Sequence, residues 1–250
     1  MALAPLPLLT PLKATPLDVS HWLLTLSRVR VSVHGQDRLP PHQPMVVVSN
    51  HRSIMDAPLL MSVVNRPVRF ACHHYMSQVP GLSNVINALG CLPLDTPEKG
   101  QTAFFRRAMK VLGDGESVGI FPEGAAPMVN QTTPDNLNAF QRGFAHLALR
   151  APVEELFIVP VAIAAHRESN NPMVPLRWLS FFDASEPLFQ QPGLHPAVLY
   201  QQVDVLIGHP VRVDHRLRSR YRSKGASALA TELAQCCQDE IATLLKQGFY

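Results

Sequence analysis

The chain has 250 residues, of which 46% are apolar and 16% are charged, and its formal net charge is +3. This length suits one sizeable α/β domain or two small ones. A charge of +3 is too small to indicate a nucleic-acid partner by itself. The charged fraction lies below the usual quarter for soluble chains, which indicates a surface that does not all face water.

The first predicted element is a short helix after an irregular start. Thr15-Pro16-Leu17-Asp18 supplies a capping hydroxyl, a proline at the first helical position and an acid in the first turn. Val19, Trp22, Leu23 and Leu26 then share one stripe. The stripe fits either a helix packed on the core or an interfacial helix with Trp22 at headgroup depth. The apolar residues ahead of it favour the membrane.

From residue 45 onwards the pattern alternates between strands and helices. Strands are predicted at residues 45–49, 68–72, 91–94, 117–121 and 156–162, and helices at 55–64, 99–112 and 139–150. This alternation is typical of a largely parallel sheet covered by helices. Further strands are predicted at residues 28–34, 178–182 and 203–213, and an antiparallel direction is considered for the last two. A closing helix is predicted at 226–246.

Membrane contact, if any, is expected to be peripheral. The apolar N-terminus lacks a basic leader and is broken by four prolines, which argues against a signal peptide. The longest uncharged stretch, residues 70–94, is interrupted by prolines and glycines and cannot form one spanning helix. Four cysteines without disulfide spacing predict reduced thiols, and therefore the cytoplasmic face of a membrane.

Two short features of the sequence are candidates for binding sites. Residues 212–224 hold six basic side chains against one acid, Asp214. Most such runs are solvated loops, and an anionic membrane surface is the alternative partner. Tyr221 is the only aromatic residue among them, which argues against nucleic acid. Cys72-His73-His74 has no second cluster with ligand spacing, so no metal site is expected.

A polar turn whose side chains could perform acid–base chemistry follows the buried strand predicted at residues 45–49. It carries His51 and, five residues later, Asp56. On one continuous helix these side chains would point about 140° apart, so they meet only if His51 lies in the turn. Asp56 would then accept from one ring nitrogen and leave the other free to take a proton. The alternative is a surface histidine and a helical aspartate that never touch.

A second strand runs into a turn at Ser117–Gly124. Pro122 cannot donate to a strand ladder, so the strand stops there, and Gly124 permits a backbone that a Cβ would block. Glu123 is therefore presented at a strand end, where α/β proteins place their chemistry.

Together these motifs closely resemble the glycerolipid acyltransferases of the lysophosphatidic-acid (1-acyl-sn-glycerol-3-phosphate) acyltransferase family, which is PlsC-like. The motifs are Asn50-His51 with Asp56, followed by Phe121-Pro122-Glu123-Gly124. Further family-like blocks stand in order at residues 80–81, 90–95, 140–143, 159–163 and 205–211. The resemblance implies an α/β fold with a largely parallel, mixed sheet covered by helices. We divide the chain into an N-terminal segment, 1–44, for which a membrane-facing role is considered, and an acyltransferase domain, 45–250.

The resemblance also implies a reaction. A fatty acyl group would pass from acyl-CoA or acyl carrier protein to the hydroxyl of a lysolipid, first of all 1-acylglycerol-3-phosphate, without a cofactor or metal. The membrane surface would be a further partner. His51 would be the general base and Asp56 its orienting carboxylate. Substrate contacts are assigned to Glu123, Gly124 and Asn50. Backbone N–H groups before the 55–64 helix are expected to stabilise the oxyanion.

Two positions depart from the family pattern. Thr96 and Ala126 stand where the family places arginines that hold the acceptor's phosphate. Arg142 is the best substitute, because it starts the helix that follows the Glu123 loop. The other candidates are Lys99, Arg106 and Arg107. The alternatives are an O-acyltransferase for a phosphate-free lipid or glycolipid alcohol, and a catalytically silent lipid-binding protein. The presence of His51, Asp56 and Glu123 together argues against a catalytically silent protein.

Overall fold

A computed structural model describes residues 14–78, 81–95, 102–124, 127, 133–175, 194–222 and 225–249. The helices in these ranges are α1 (Pro16–Ser27), α2 (Asp56–Val64), α3 (Leu82–Ala88), α4 (Thr102–Gly113), α5 (Gly143–Arg150), α6 (His215–Arg222) and α7 (Ala226–Phe249). The strands are β1 (Arg30–His34), β2 (Met45–Ser49), β3 (Val68–Cys72), β4 (Leu92–Pro93), β5 (Ser117–Ile120), β6 (Leu156–Pro175), β7 (Leu194–Ile207) and β8 (Val211–Val213).

These strands form one mixed sheet. Their order is β1-β7-β6-β2-β5-β3-β4, and β8 also pairs with β6. The strands β6, β2, β5, β3 and β4 run parallel to one another, whereas β7 and β8 run antiparallel to β6. The predicted α/β class with a largely parallel sheet covered by helices is confirmed.

The side chains of β2 show that a hydrophobic core lies on each face of the sheet. All five of its residues are buried, because consecutive side chains enter two different cores. Val46 and Val48 pack in a cluster with α4, α5 and α7. Met45 and Val47 pack in a second cluster with α2. A strand covered on both faces therefore shows an unbroken apolar run rather than alternation.

The strand β6 differs most from its predicted form. It continues beyond residue 162 to Pro175, paired with β7 over most of that length. Because Val161 lies opposite the last residue of β2, this two-stranded ribbon projects past the carboxyl end of β2. Polar residues such as Arg167 and Glu168 hide the strand in the sequence. The strand predicted at 178–182 lies outside the described residues.

The N-terminal segment contributes both a helix and a strand. The helix α1 has the predicted capping box between Thr15 and Asp18 and packs against α2. Ser20 is buried there, whereas Trp22 is 64% and Leu26 is 67% exposed. The stripe that contains these two residues therefore faces away from the core at both positions. The strand β1 extends the sheet at β7.

Residues 215–222 of the basic run form the helix α6, so the interpretation of the run as a loop was wrong for these residues. Asp214 caps α6 by accepting from the backbone N–H groups of Arg216 and Leu217, at 3.0 Å each. These bonds lower the pKa of Asp214. The cap supplies a start signal that the run of arginines obscured. None of the helices in the described ranges is long and apolar enough to span a bilayer.

We expect Gly119→Ala to destabilise the fold. A Cβ on Gly119 would lie 2.2 Å from the ring of Phe70, which is fully packed in the second core. Overpacking of this kind costs about 1–3 kcal/mol. Urea unfolding measures it. Gly143→Ala is the matched control, because a Cβ there has no neighbour within 4 Å. Equal stability of Gly119→Ala and the wild type would contradict the packing described.

Candidate active site

The candidate site lies at the carboxyl edge of the sheet. Val48 of β2 is paired in parallel with Ile120 of β5, so both strands end at the same level. The turn that begins at Asn50 and the turn that carries Glu123 therefore emerge side by side. Loops at the carboxyl ends of parallel strands are where α/β folds bind their ligands.

His51 and Asp56 meet as the sequence predicted. The Nδ1 atom of His51 is 2.9 Å from Oδ2 of Asp56. The carboxylate is fully buried, whereas the histidine side chain keeps 18% of its surface exposed. Within the described part of the chain, Nε2 of His51 makes no hydrogen bond. The pair thus has one anchored nitrogen and one nitrogen available to a substrate, and the alternative in which the two residues never touch is wrong.

Asp56 accepts three further hydrogen bonds. Its Oδ2 accepts from the backbone N–H groups of Arg52, at 2.7 Å, and Ser53, at 2.8 Å. Its Oδ1 accepts from the hydroxyl of Tyr200, at 2.5 Å. An ionised carboxylate only accepts, so these donors compensate for its removal from water. Burial, then the charge of Asp56, raises the pKa of Tyr200 far above its usual value, which keeps its hydroxyl a donor.

The expectation that this turn offers its N–H groups to an oxyanion is wrong for five of its residues. The N–H of His51 goes to Glu123, and those of Arg52 and Ser53 go to Asp56. The N–H of Met55 donates to the hydroxyl of Ser53, and the N–H of Asp56 donates to the backbone carbonyl of Ser53. These N–H groups therefore stabilise the turn itself and its buried carboxylate.

The plane of the His51 ring is fixed by an aromatic stack. The ring lies parallel to Phe121, with centroids 4.0 Å apart and an interplanar angle of 10°. Phe121 in turn stacks on Phe70 at 5.3 Å. Because stacking fixes the ring plane and Asp56 fixes one ring nitrogen, the orientation of Nε2 is determined.

Glu123 is buried and binds the backbone of the His51 turn. Its Oε1 accepts from the backbone N–H of His51 at 3.1 Å, and its Oε2 accepts from that of Asn138 at 2.7 Å. Burial raises the pKa of this carboxyl, and the two backbone bonds oppose that rise. Gly124 follows with φ +73°, a conformation that favours glycine. Both residues are near His51, and their role in substrate binding stays a prediction.

Asn50 also has a structural partner. Its amide donates to the carbonyl of Ile163 at 3.0 Å, and its carbonyl accepts from the N–H of Ile163 at 2.8 Å. This pair of bonds continues the ladder between β2 and β6 by one residue and sets where the His51 turn begins. The predicted contact of Asn50 with substrate stays a prediction.

Arg142 is not brought to this cluster. Its guanidinium donates to the hydroxyls of Ser227 and Thr231 on α7, at 2.8 and 3.2 Å. It precedes α5, which packs on α7, and this packing directs the side chain. Arg107 instead donates to the carbonyl of Pro93 at the end of β4, on the sheet edge that carries His51. Thr96 and Ala126 lie outside the described residues.

Three contacts to the turn were missed by sequence reasoning. Besides Tyr200, Arg52 forms a two-point ion pair with Glu168 of β6, at 2.7 and 2.5 Å. The hydroxyl of Ser53 donates to the carbonyl of Val198 on β7 at 2.5 Å. The partners lie more than a hundred residues away in sequence, so no local motif could indicate them.

Comparisons with known proteins identify the family. The sequence model of the family described as "Acyltransferase" matches residues 30–164, more than half of the chain. The chain belongs to this acyltransferase family. The predicted family resemblance is therefore confirmed.

Individual relatives agree with this assignment. A 1-acyl-sn-glycerol-3-phosphate acyltransferase of Borreliella burgdorferi is 24% identical over 148 residues, which are 59% of this chain and 55% of that protein. The 1-acyl-sn-glycerol-3-phosphate acyltransferase alpha of Mus musculus is 29% identical over 169 residues, 66% and 52% of the two chains. The chain thus spans about half the length of the curated relatives it matches.

A solved structure shows the same fold. The crystal structure of the 1-acyl-sn-glycerophosphate acyltransferase PlsC from Thermotoga maritima superposes with a TM-score of 0.58 at 19% identity. The match covers 93% of this chain and 77% of that one.

Glu123 should make stability depend on pH. A carboxyl with a raised pKa holds its proton more tightly in the folded than in the unfolded state, so stability falls as pH rises above about 4.5. The slope for one proton cannot exceed about 1.4 kcal/mol per pH unit. We expect the free energy of unfolding of the wild type, minus that of Glu123→Gln, to decrease with rising pH in denaturant titrations. A difference that is constant between pH 4 and 8 would contradict it.

Proposed function

We propose that this chain transfers a fatty acyl group from an acyl thioester to a lipid hydroxyl, with 1-acylglycerol-3-phosphate as the first acceptor to consider. The observation that carries the proposal is the His51–Asp56 pair at the carboxyl edge of the sheet, with Nε2 of His51 unbonded within the described residues. Membership of the acyltransferase family and the activities for which its relatives are named support the substrate class.

The geometry supports a direct transfer. Nε2 of His51 removes the proton of the acceptor hydroxyl as its oxygen attacks the thioester carbonyl, and a C–O bond forms. The tetrahedral intermediate then collapses, the C–S bond breaks, and the departing thiolate takes the proton from the imidazolium. No enzyme nucleophile is needed, because a thiolate is already a good leaving group.

Asp56 determines which ring nitrogen acts as the base. An ionised carboxylate only accepts hydrogen bonds, so Nδ1 carries the proton in the 2.9 Å contact and Nε2 presents its lone pair. When Nε2 takes the acceptor's proton, the ring becomes cationic beside a buried anion. Asp56 therefore orients the base and stabilises its protonated form.

The proposal leaves two acyl donors and two acceptor classes to be compared. The donors are acyl-CoA and acyl carrier protein, and the acceptors are lysolipids with and without a terminal phosphate. A thiol-release assay with each donor and acceptor distinguishes them. A protein that binds these lipids but releases no thiol with any pair would be the silent lipid-binding alternative.

We expect His51→Ala to abolish acyl transfer without unfolding the protein. Loss of a general base costs on the order of 10²–10⁴ in rate. Asp56→Asn should also lower the rate sharply, because an amide in place of the carboxylate no longer stabilises the imidazolium. Thiol release in the presence of the preferred acceptor measures both effects, and circular dichroism monitors the fold.

A second histidine–aspartate pair provides the control. His34 Nε2 lies 3.2 Å from Asp204 Oδ2, on the edge strand β1 and its neighbour β7. We expect His34→Ala and Asp204→Asn to retain nearly wild-type rates. Near-normal turnover by His51→Ala would refute the mechanism, whereas equal losses in both pairs would point to a general loss of folded protein.

The membrane-facing side is proposed to be the end that carries His51. Ile54 in the catalytic turn is 42% exposed, and Leu199 on β7, beside the acceptor of the Ser53 bond, is 37% exposed. The helix α1 ends at the same level, since Arg30 of β1 pairs with Gln202 and thus lies beyond the end of β2. Exposed Leu26 and Trp22 lie on this helix. Apolar side chains at one end suit insertion into a lipid surface.

The basic helix α6 lies at the other end. Val213, just before it, pairs with Leu156 at the start of β6, and Arg218 donates to the carbonyl of Val153. β6 and β2 are parallel, so this is the amino edge of the sheet. A membrane bound flat against α6 would lie on the far side of the molecule from His51.

We expect Trp22→Ala with Leu26→Ala to weaken binding to phospholipid vesicles. Burying one large apolar side chain contributes about 1.5–3 kcal/mol, or about tenfold or more in partitioning. Co-sedimentation at about 0.1 M salt measures it, and a repeat at about 0.5 M salt, where charge attraction is screened, isolates the apolar contribution. Arg216→Gln with Arg220→Gln on α6 is the control and should leave this binding intact. Loss of binding in the arginine variant alone would reverse the assignment.

A further inference from the structure

Tyr200 is a fully buried hydroxyl that the mechanism above does not use. It lies on β7 and donates to Oδ1 of Asp56 at 2.5 Å, on the side of the carboxylate away from His51. We propose that Tyr200 is a positioning residue of the catalytic pair, which fixes the Asp56 carboxylate and sets how tightly His51 holds a proton. The effect on rate rests on the proposed function, and the effect on the histidine does not.

The position of Tyr200 is built into the ribbon that projects past the sheet edge. Tyr200 is the register partner of Glu168 across β6 and β7. Glu168 holds the guanidinium of Arg52, and the carbonyl of Val198, two residues before Tyr200, accepts from the hydroxyl of Ser53. The ribbon therefore binds three residues of one turn: a carboxylate binds Arg52, a backbone carbonyl binds Ser53 and a hydroxyl binds Asp56. Such multiple attachment fixes Tyr200 relative to Asp56.

The electrostatic consequence has a definite sign. The charged and titratable groups around this contact are Asp56, Glu168, Arg52, His51 and Glu123. A hydroxyl that donates to Oδ1 draws negative charge towards itself and away from Oδ2, which faces the imidazole. Removing the donor concentrates charge at Oδ2 and strengthens its attraction for the imidazolium. His51 in a variant without this hydroxyl should therefore stay protonated to higher pH.

This contact comes from outside the part of the chain that matches the family. The family model ends at residue 164, whereas Tyr200 and Glu168 both lie beyond it. The acid that orients the base is thus tuned by a segment that the family's matched region does not include.

The test compares Tyr200→Phe with Tyr221→Phe. The hydroxyl of Tyr221 bonds to Nδ1 of His146 at 2.9 Å, so the control removes the same atom from a side-chain hydrogen bond elsewhere. The primary readout is the ¹⁵N NMR titration of the His51 imidazole, which needs no substrate. We expect its midpoint to move to higher pH in Tyr200→Phe and to stay at the wild-type value in Tyr221→Phe.

Kinetics give the second readout. We expect Tyr200→Phe to lower kcat by about tenfold, the value of one hydrogen bond to a charged group, with KM nearly unchanged. The acidic limb of the pH–rate profile should move to higher pH together with the NMR midpoint. A merely structural tyrosine would lower thermal stability without moving either titration.

The outcomes separate the two proposals. If the wild type transfers no acyl group, the proposed function fails, and the NMR titration still decides the role of Tyr200. If the His51 midpoint is the same in Tyr200→Phe as in the wild type, the positioning role is overturned even where activity falls. Should Tyr200→Phe not fold, 3-fluorotyrosine at position 200 serves instead. It is a stronger donor, so the midpoint should move to lower pH, and an unmoved midpoint would again overturn the proposal.

Discussion

The structure depends on the burial of one carboxylate. Asp56 is removed from water entirely, and an isolated charge in that position would be prohibitively costly. Four donors compensate for it, and they come from a histidine ring, two backbone amides and a distant tyrosine. Satisfying the carboxylate thus requires the turn to curl around it and β7 to lie against it. The geometry of the His51–Asp56 pair and the packing of the ribbon are two results of the same constraint.

Two buried carboxylates hold different parts of His51 in place. Asp56 binds the ring, whereas Glu123 binds the backbone N–H of the same residue. Glu123 also binds Asn138, so it links the β2 turn to the loop that leads into α5. With Phe121 stacked on one face, His51 is restrained in its backbone, its ring plane and one ring nitrogen. Nε2, which makes no hydrogen bond within the described residues, is the remaining functional group of the ring, and this is the arrangement that a general base needs.

Local signals explain what could be predicted from the sequence. The apolar run of β2, the capping box of α1 and the five-residue spacing of His51 and Asp56 each specify structure within a few residues. Tyr200 and Glu168 carry no such signal, because their partners lie 144 and 116 residues away. The length of β6 was missed because its ribbon half is partly polar. The run of arginines concealed the helix α6. Its capping residue, Asp214, stands out in the sequence only as a single acid among basic residues.

Topology also decides what the charge pattern means. Five arginines and a lysine within residues 212–224 leave two interpretations by composition alone, a solvated run and a contact with an anionic membrane surface. The sheet places α6 at the amino edge, however, because β8 is antiparallel to β6 and pairs with its first residues. A lipid acceptor keeps its chain in the bilayer while its hydroxyl reacts at the interface. For the proposed reaction the base would face the bilayer, and the end with Ile54, Leu199 and Leu26 suits that orientation. Apolar contact at the catalytic edge, rather than total charge, then orients the proposed reaction.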